Sequence, residues 1–275
     1  MSELIAVATA QFSAVANISA NLDTIRLLAR DAAGRGARVI VFPEAAMYKQ
    51  HAEPTALPIQ DVAQNTDGPF ATALAELATE LGTVLVVGMA TPGGDKAHNV
   101  IVVIEPGRGV THTYDKIHLF DSAKGKESDR YFPATLTSDL SSLVTFTVDG
   151  LTFGVTNCYD LRFPELYRAL VDQGAEVLLV PAAWVDGPGK AMHWEVLLRA
   201  RAIENTSYVV GAGQSPPMGA GYSLIVDPYG VGLAASTETA GISLAWLDPQ
   251  RVTDARTAMP ILANRRFGVH PLVEA

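Results

Sequence analysis

The chain has 275 residues, of which 48% are hydrophobic, and a formal net charge of −9. That length and apolar content suit a sizeable buried core, and the acidic balance without a basic run argues against nucleic acid or an anionic membrane surface as a partner. Cys158 is the only cysteine, which rules out an intrachain disulfide and a zinc site built from several thiolates.

Leu4 to Ala8 opens the readable pattern with no basic region before it, which argues against a secretory leader. Apolar runs such as Val177-Leu178-Leu179-Val180 are far too short to span a bilayer. A cytoplasmic protein that binds neither membrane nor nucleic acid is expected.

In chain order, a strand is predicted over Leu4 to Gln11, a helix over Asn21 to Ala33 closing on Gly34, and a strand over Val39 to Phe42. A helix follows over Phe70 to Leu81, then a strand over Val84 to Met89. A hairpin comes next, running from Asn99 to Ile104, turning at Pro106-Gly107 and returning over Val110 to Asp115. The order then repeats. A strand covers Leu151 to Asn157, a helix Pro164 to Gln173 closing on Gly174, and a strand Val177 to Pro181. A helix over His193 to Asn205, a strand over Tyr208 to Ala212 and a hairpin from Tyr222 turning at Pro228-Tyr229-Gly230 complete it.

The repeat has a literal echo. Gly36-Ala37-Arg38-Val39-Ile40-Val41-Phe42-Pro43-Glu44-Ala45-Ala46 returns as Gly174-Ala175-Glu176-Val177-Leu178-Leu179-Val180-Pro181-Ala182-Ala183-Trp184. Two β-α-β-α-β-β-β halves imply an α/β fold of two sheets packed face to face with helices outside. That is a four-layer α-β-β-α sandwich with an internal pseudo-twofold repeat. Long connections fall at residues 47–68, 120–142, 184–192 and 213–221, the segments of a compact domain that most often carry function.

Three predicted strands end in reactive residues: Glu44, Lys116 and Cys158. Strand ends in α/β folds face a crevice. A cysteine between a strand and a helix N-terminus is expected to have a lowered pKa. Each residue also has a plainer reading: Cys158 as a small buried hydrophobe, Glu44 as the cap of a turn, and Lys116 as the surface partner of Asp115 or Asp121.

Taken together, Phe42-Pro43-Glu44, Asp115-Lys116-Ile117-His118-Leu119-Phe120-Asp121 and Asn157-Cys158-Tyr159-Asp160-Leu161-Arg162-Phe163-Pro164-Glu165 resemble the signature segments of the nitrilase superfamily, in order and spacing. Gly125-Lys126-Glu127-Ser128, Arg199 to Asn205, Gly221-Tyr222-Ser223 and Asn264-Arg265-Arg266 extend the resemblance over nearly the whole chain. It implies one carbon–nitrogen hydrolase domain over residues 1–275 and the same four-layer sandwich. It also implies roles: Glu44 as general base, Lys116 as the cation that stabilises the tetrahedral intermediate, Cys158 as nucleophile, Glu127 as a second glutamate that positions substrate, and the Tyr159 amide as an oxyanion donor.

The implied reaction is hydrolysis of a small linear amide through a thioester, without metal or organic cofactor. The Cys158-Tyr159-Asp160 sequence is similar to the amidase-like branches that act on ω-amides or deaminated glutathione; nitrilases proper usually carry Trp-Glu after the cysteine. Alternatives are an N-carbamoyl amide hydrolase, a nitrilase proper and a catalytically silent scaffold subunit. A homodimer or larger homo-oligomer is expected from the resemblance. Arg162 has two readings, a grip on a substrate carboxylate or an internal ion pair with Glu165 or Asp160. His118 is read as structural rather than as a base, and the six histidines lack the paired spacing of a metal site.

Overall fold

The computed structural model describes residues 4–122 and 125–272. Ala123 and Lys124, inside the predicted 120–142 connection, lie outside the described residues, as do the termini of the predicted domain.

The first sheet is built from β1 (Ile5–Gln11), β2 (Val39–Val41), β3 (Val84–Pro92), β4 (Ala97–Glu105) and β5 (Gly109–Asp115). After it come the short pair β6 (Asp121–Ser122) and β7 (Gly125–Lys126), then β8 (Tyr131–Phe132), which runs beside β4. The second sheet contains β9 (Val144–Val148), β10 (Leu151–Val155), β11 (Val177–Ala182), β12 (Tyr208–Gly213), β13 (Leu224–Val226) and β14 (Gly232–Ala235). The last strand, β15 (Gly241–Leu247), crosses back and pairs antiparallel with β1. The helices are α1 (Ile18–Gly34), α2 (Ile59–Val62), α3 (Pro69–Leu81), α4 (Pro164–Asp172), α5 (Lys190–Asn205) and α6 (Pro249–Ala258).

Strand order is β15-β1-β2-β3-β4-β5 in one sheet and β14-β13-β12-β11-β10-β9 in the other. Reversing the second list places β9 against β15, β10 against β1 and β11 against β2. The predicted repeat is therefore the architecture, with one refinement. The edge strand of the second sheet directly precedes its half, whereas the matching strand of the first sheet arrives from the far end of the chain.

Alternation along the strands sorts the core into three apolar layers. Val39 and Val41 face inward to meet Phe153, Val177, Leu179 and Val210 of the opposite sheet. Ile40, Leu85 and Val87 face outward onto Ile25, Leu28 and Ala29 of α1 and Leu74 and Ala78 of α3. In the second half Leu178, Val180 and Val209 pack outward on Leu166 and Leu170 of α4 and Trp194 and Leu198 of α5. A strand buried on both faces needs a nearly continuous apolar run, which is what the echoed phrases contain.

Local signals set the helix ends. The Asn17 side chain caps α1 through the Ala20 amide at 3.1 Å. α3 starts on Pro69 and stops at Gly82, whose φ of 63° is in the left-handed region that glycine adopts freely.

The sheets are also stitched together where their parallel strands end. Phe12 bridges to Gln214, and Gln214 accepts from the Ala14 amide at 2.7 Å. The Gln214 Nε2 donates to the Glu44 carbonyl at 2.9 Å. No helix among the described residues is long and apolar enough to cross a membrane.

Candidate active site

Glu44, Lys116, Glu127 and Cys158 converge at one end of the two sheets, on a cavity of about 550 Å³. Three of the four predicted long connections line it, contributing Tyr48, Phe120 and Trp184 among others. The fourth supplies Gln214, which supports Glu44 from behind.

Glu44 leaves the end of β2 through Phe42-Pro43, and the chain then turns sharply at Ala45, with φ of 55°. The carboxylate is 5% exposed. Its Oε1 accepts from Lys116 Nζ at 2.7 Å and from Asn99 Nδ2 at 2.8 Å, and its Oε2 accepts from the Ala183 amide at 2.8 Å. Ala183 belongs to the echoed phrase, so the pseudo-twofold brings the two copies together here: one supplies the acid and the other a backbone donor. Glu44 therefore does not cap its own turn.

Lys116 follows β5 and is 1% exposed. Its Nζ lies 2.7 Å from Glu44 Oε1 and 2.8 and 2.7 Å from the two oxygens of Glu127. The surface pairing with Asp115 or Asp121 is overturned: Asp115 meets His98 at 2.8 Å, and Asp121 accepts from Ser128. Burial alone would lower the ammonium's pKa, but the two glutamates prevail and hold it well above its ordinary value. Burial likewise works to raise Glu44, and Lys116 outweighs it, bringing that carboxyl down to about 2.

Glu127 is also buried, and its Oε2 accepts from the Phe120 amide at 2.7 Å. Asn99, which the sequence pattern did not single out, donates from one amide group to both Glu44 and Glu127, at 2.8 and 2.7 Å. The signal was a single polar side chain at the head of the apolar run Val100 to Ile104.

β10 ends at Val155, two residues earlier than predicted, and Cys158 opens a 3₁₀ turn over Cys158–Arg162. Its φ is 51°, a left-handed conformation that costs an L-residue roughly 1–2 kcal/mol. A buried hub holds the turn. Asp160, fully inaccessible, accepts from the Asn157 amide at 2.8 Å, Tyr114 Oη at 2.7 Å and His118 Nδ1 at 2.7 Å. His118 stacks on Phe163 with ring centres 3.7 Å apart, which agrees with its structural reading. Arg201 supports the turn from behind, donating through Nε and Nη2 to the Leu161 carbonyl at 3.1 and 2.7 Å.

The thiol reverses one expectation. Burial, and next the Glu44 charge, push its pKa well above the ordinary value, and Lys116 opposes this without prevailing. The local effect of a helix start is overridden, and the helix proper begins only at Pro164. These directions favour a neutral thiol beside an ionised glutamate at rest.

Arg162 makes no ion pair with Glu165 or Asp160. Its guanidinium lies 4.9 Å from the Trp184 ring centre on the cavity wall, and Nη2 is 3.5 Å from His193. Tyr159 lines the same cavity, and its amide is among the first of the turn, where backbone donors lack intrahelical partners. Among the described residues no group of His, Cys, Asp and Glu could hold a metal.

The family model for carbon–nitrogen hydrolases matches residues 5–257. The chain belongs to the carbon–nitrogen hydrolase family. This hydrolase is 37% identical to the deaminated glutathione amidase of Escherichia coli O157:H7, over 95% of this chain and 97% of that one. Its fold matches Saccharomyces cerevisiae Nit3, a member of branch 10 of the nitrilase superfamily, with a TM-score of 0.81, 27% identity and coverage of 96% and 97%. It also matches the Caenorhabditis elegans NitFhit protein with a TM-score of 0.85 and 27% identity, covering 96% of this hydrolase and 65% of that longer chain.

Proposed function

We propose that the protein hydrolyses the C–N bond of a small linear amide through a thioester on Cys158. The observation that carries this is the setting of Glu44: Lys116 at 2.7 Å on one oxygen, the Ala183 amide at 2.8 Å on the other, and the Cys158 thiol, whose pKa the Glu44 charge raises, on the same cavity.

Sγ attacks the amide carbon as Glu44 takes its proton, so a neutral thiol and an ionised acid are the required starting states. The oxyanion forms beside Lys116 and the Tyr159 amide; losing one such donor typically costs about 2.7–4 kcal/mol of barrier. Glu44 then delivers the proton to nitrogen, the C–N bond breaks, and ammonia leaves, or an amine where the nitrogen is substituted. Water, deprotonated by Glu44, attacks the thioester and releases the carboxylic product and the thiol. Glu127 fixes Lys116 and faces the bound substrate. Arg162, without a carboxylate partner among the described residues, adds positive charge on the Trp184 wall of the same cavity. The interlocked cores and the return of β15 to the first sheet support a single hydrolase domain.

The test is release of ammonia or amine from deaminated glutathione, 2-oxoglutaramate, short aliphatic amides, N-carbamoyl-β-alanine and simple nitriles. Turnover of the amides, an acyl adduct on the Cys158 peptide by mass spectrometry and complete loss in Cys158→Ala are expected. Preference for the carbamoyl compound or the nitriles would move the protein to another branch, and activity surviving in Cys158→Ala would remove the mechanism.

A further inference from the structure

The chain has a net charge of −9, yet four cationic side chains without an ion-pair partner among the described residues line the cavity over Cys158: Lys49, Arg130, Arg162 and Lys190. Elsewhere among the described residues nine arginines are engaged by carboxylates, whereas these four present their charge to the cavity. The four fall into two pairs with different surroundings.

Arg162 and Lys190 rest on aromatic faces. Their charged ends lie 4.9 and 5.7 Å from the Trp184 ring centre, and Lys190 is also 5.1 Å from that of Phe120. Such faces partly compensate a cation for lost water.

Lys49 and Arg130 are less well provided for. They come from the connections after β2 and β7, and both are half-buried. Among the described residues Arg130 Nε is sealed from solvent without a hydrogen-bond partner, and its guanidinium lies 5.9 Å from the Tyr131 ring centre, near the outer limit of a cation–π contact. The Lys49 ammonium has no ion pair or hydrogen bond among the described residues. Burial pulls its pKa down, Arg130 adds to that, and Glu44, whose charge opposes the shift, is already held by Lys116. A buried donor left unpaired is costly, and a ligand anion would remove the cost.

We propose that Lys49 and Arg130 form an anion subsite that binds a carboxylate of the amide substrate and selects acidic amides over neutral ones. A point-like ammonium beside a guanidinium fork suits both oxygens of a carboxylate. This assignment rests on reading the cavity as the site of amide hydrolysis, but the binding half of its test needs no turnover.

Glutarate titrated calorimetrically into Cys158→Ala protein should bind, and adding Lys49→Gln or Arg130→Gln should weaken binding at least about tenfold, as expected for loss of a hydrogen bond to a charged group. Lys49→Arg should restore part of the loss. In Cys158-containing protein, the ratio of kcat/KM for glutaramate over pentanamide should fall roughly 10- to 100-fold in each Gln variant, with the change in KM. Arg26→Gln, which removes a surface charge far from the cavity, should keep the parental ratio.

Absence of glutarate binding, equal binding in all variants, or a ratio that Lys49→Gln and Arg130→Gln leave in place would each overturn the subsite. Glutarate binding that both variants weaken, in a protein that turns over no amide, would uphold the subsite and reject the hydrolase reading instead.

Discussion

The side chains of Asn157 and Asn99 are joined by one hydrogen bond, from Nδ2 of Asn157 to Oδ1 of Asn99 at 3.0 Å, although 58 positions separate them. The other end of Asn99 donates to Glu44 and Glu127. One buried amide thus sets the residue before Cys158 in register with both glutamates.

Replacing Asn99 with alanine removes a donor from both glutamates, and losing it should raise the depressed Glu44 pKa. The parental kcat/KM should stay level from neutrality down to about pH 4, since Glu44 ionises near 2. Asn99→Ala should lower kcat about tenfold or more and bring the acid limb of the profile upward. An unchanged limb would confine Asn99 to a packing role.

Glu44→Gln should separate thiol reactivity from hydrolysis. The substitution removes the Glu44 charge that raises the Cys158 pKa and leaves Lys116, which lowers it. Alkylation by iodoacetamide near neutrality should therefore accelerate, by roughly threefold for each pKa unit recovered once the weaker nucleophilicity of a less basic thiolate is allowed for, while amide turnover is lost. Slower alkylation would mean that Glu44 activates the thiol even toward a soft electrophile and that its charge is not what holds the thiol neutral.

Acid stability carries a signature of the same residue. The folded pKa of Glu44 is depressed, from 4.5 to about 2, so its contribution is complete above the unfolded value and lost as pH falls through that window. The shift corresponds to something on the order of 3 kcal/mol. Thermal melts between about pH 5 and 2 should drop less steeply in Glu44→Gln, which starts from a lower stability because Lys116 loses a partner. Parallel curves for the two proteins would contradict the depressed pKa.

The two halves were legible because the first helix of each closes on glycine, Gly34 and Gly174, and each buried strand is an apolar run, features that are local in sequence. β15 was not read, although Gly241 to Leu247 alternates suitably, because its partner β1 lies at the opposite end of the chain and no short-range pattern records that pairing. Glu44, Lys116, Glu127 and Cys158 stood out through ordered motifs. Asn99, Lys49 and Arg130 did not, since an amide heading an apolar run and two loop cations acquire meaning only from what surrounds them in space. The thiol's electrostatics went the other way from the helix-start rule because its main determinants, burial and a glutamate from another strand, are tertiary.

Gly88 offers a test of support at a distance from the cavity wall. On β3, it lies so close behind the Glu44 turn that an added Cβ would sit 2.6 Å from the Pro43 carbonyl oxygen and 2.7 Å from Glu44 Cα. Backbone cannot yield as a flexible side chain would, so Gly88→Ala should destabilise by about 1–3 kcal/mol and reduce kcat by displacing Glu44. Parental melting temperature and kcat together would show that the turn is not held from β3.

The crossing of β15 has a consequence for biosynthesis. While residues up to β14 are emerging from the ribosome, β1 has a neighbour on one side only, and its other edge offers unpaired amides and carbonyls to any passing strand. The N-terminal half, first to be made, is thus the last to be sealed. A nascent chain halted before Gly241 should be far more prone to aggregation than one released after Leu247, even though the shorter product already contains Glu44, Lys116 and Cys158.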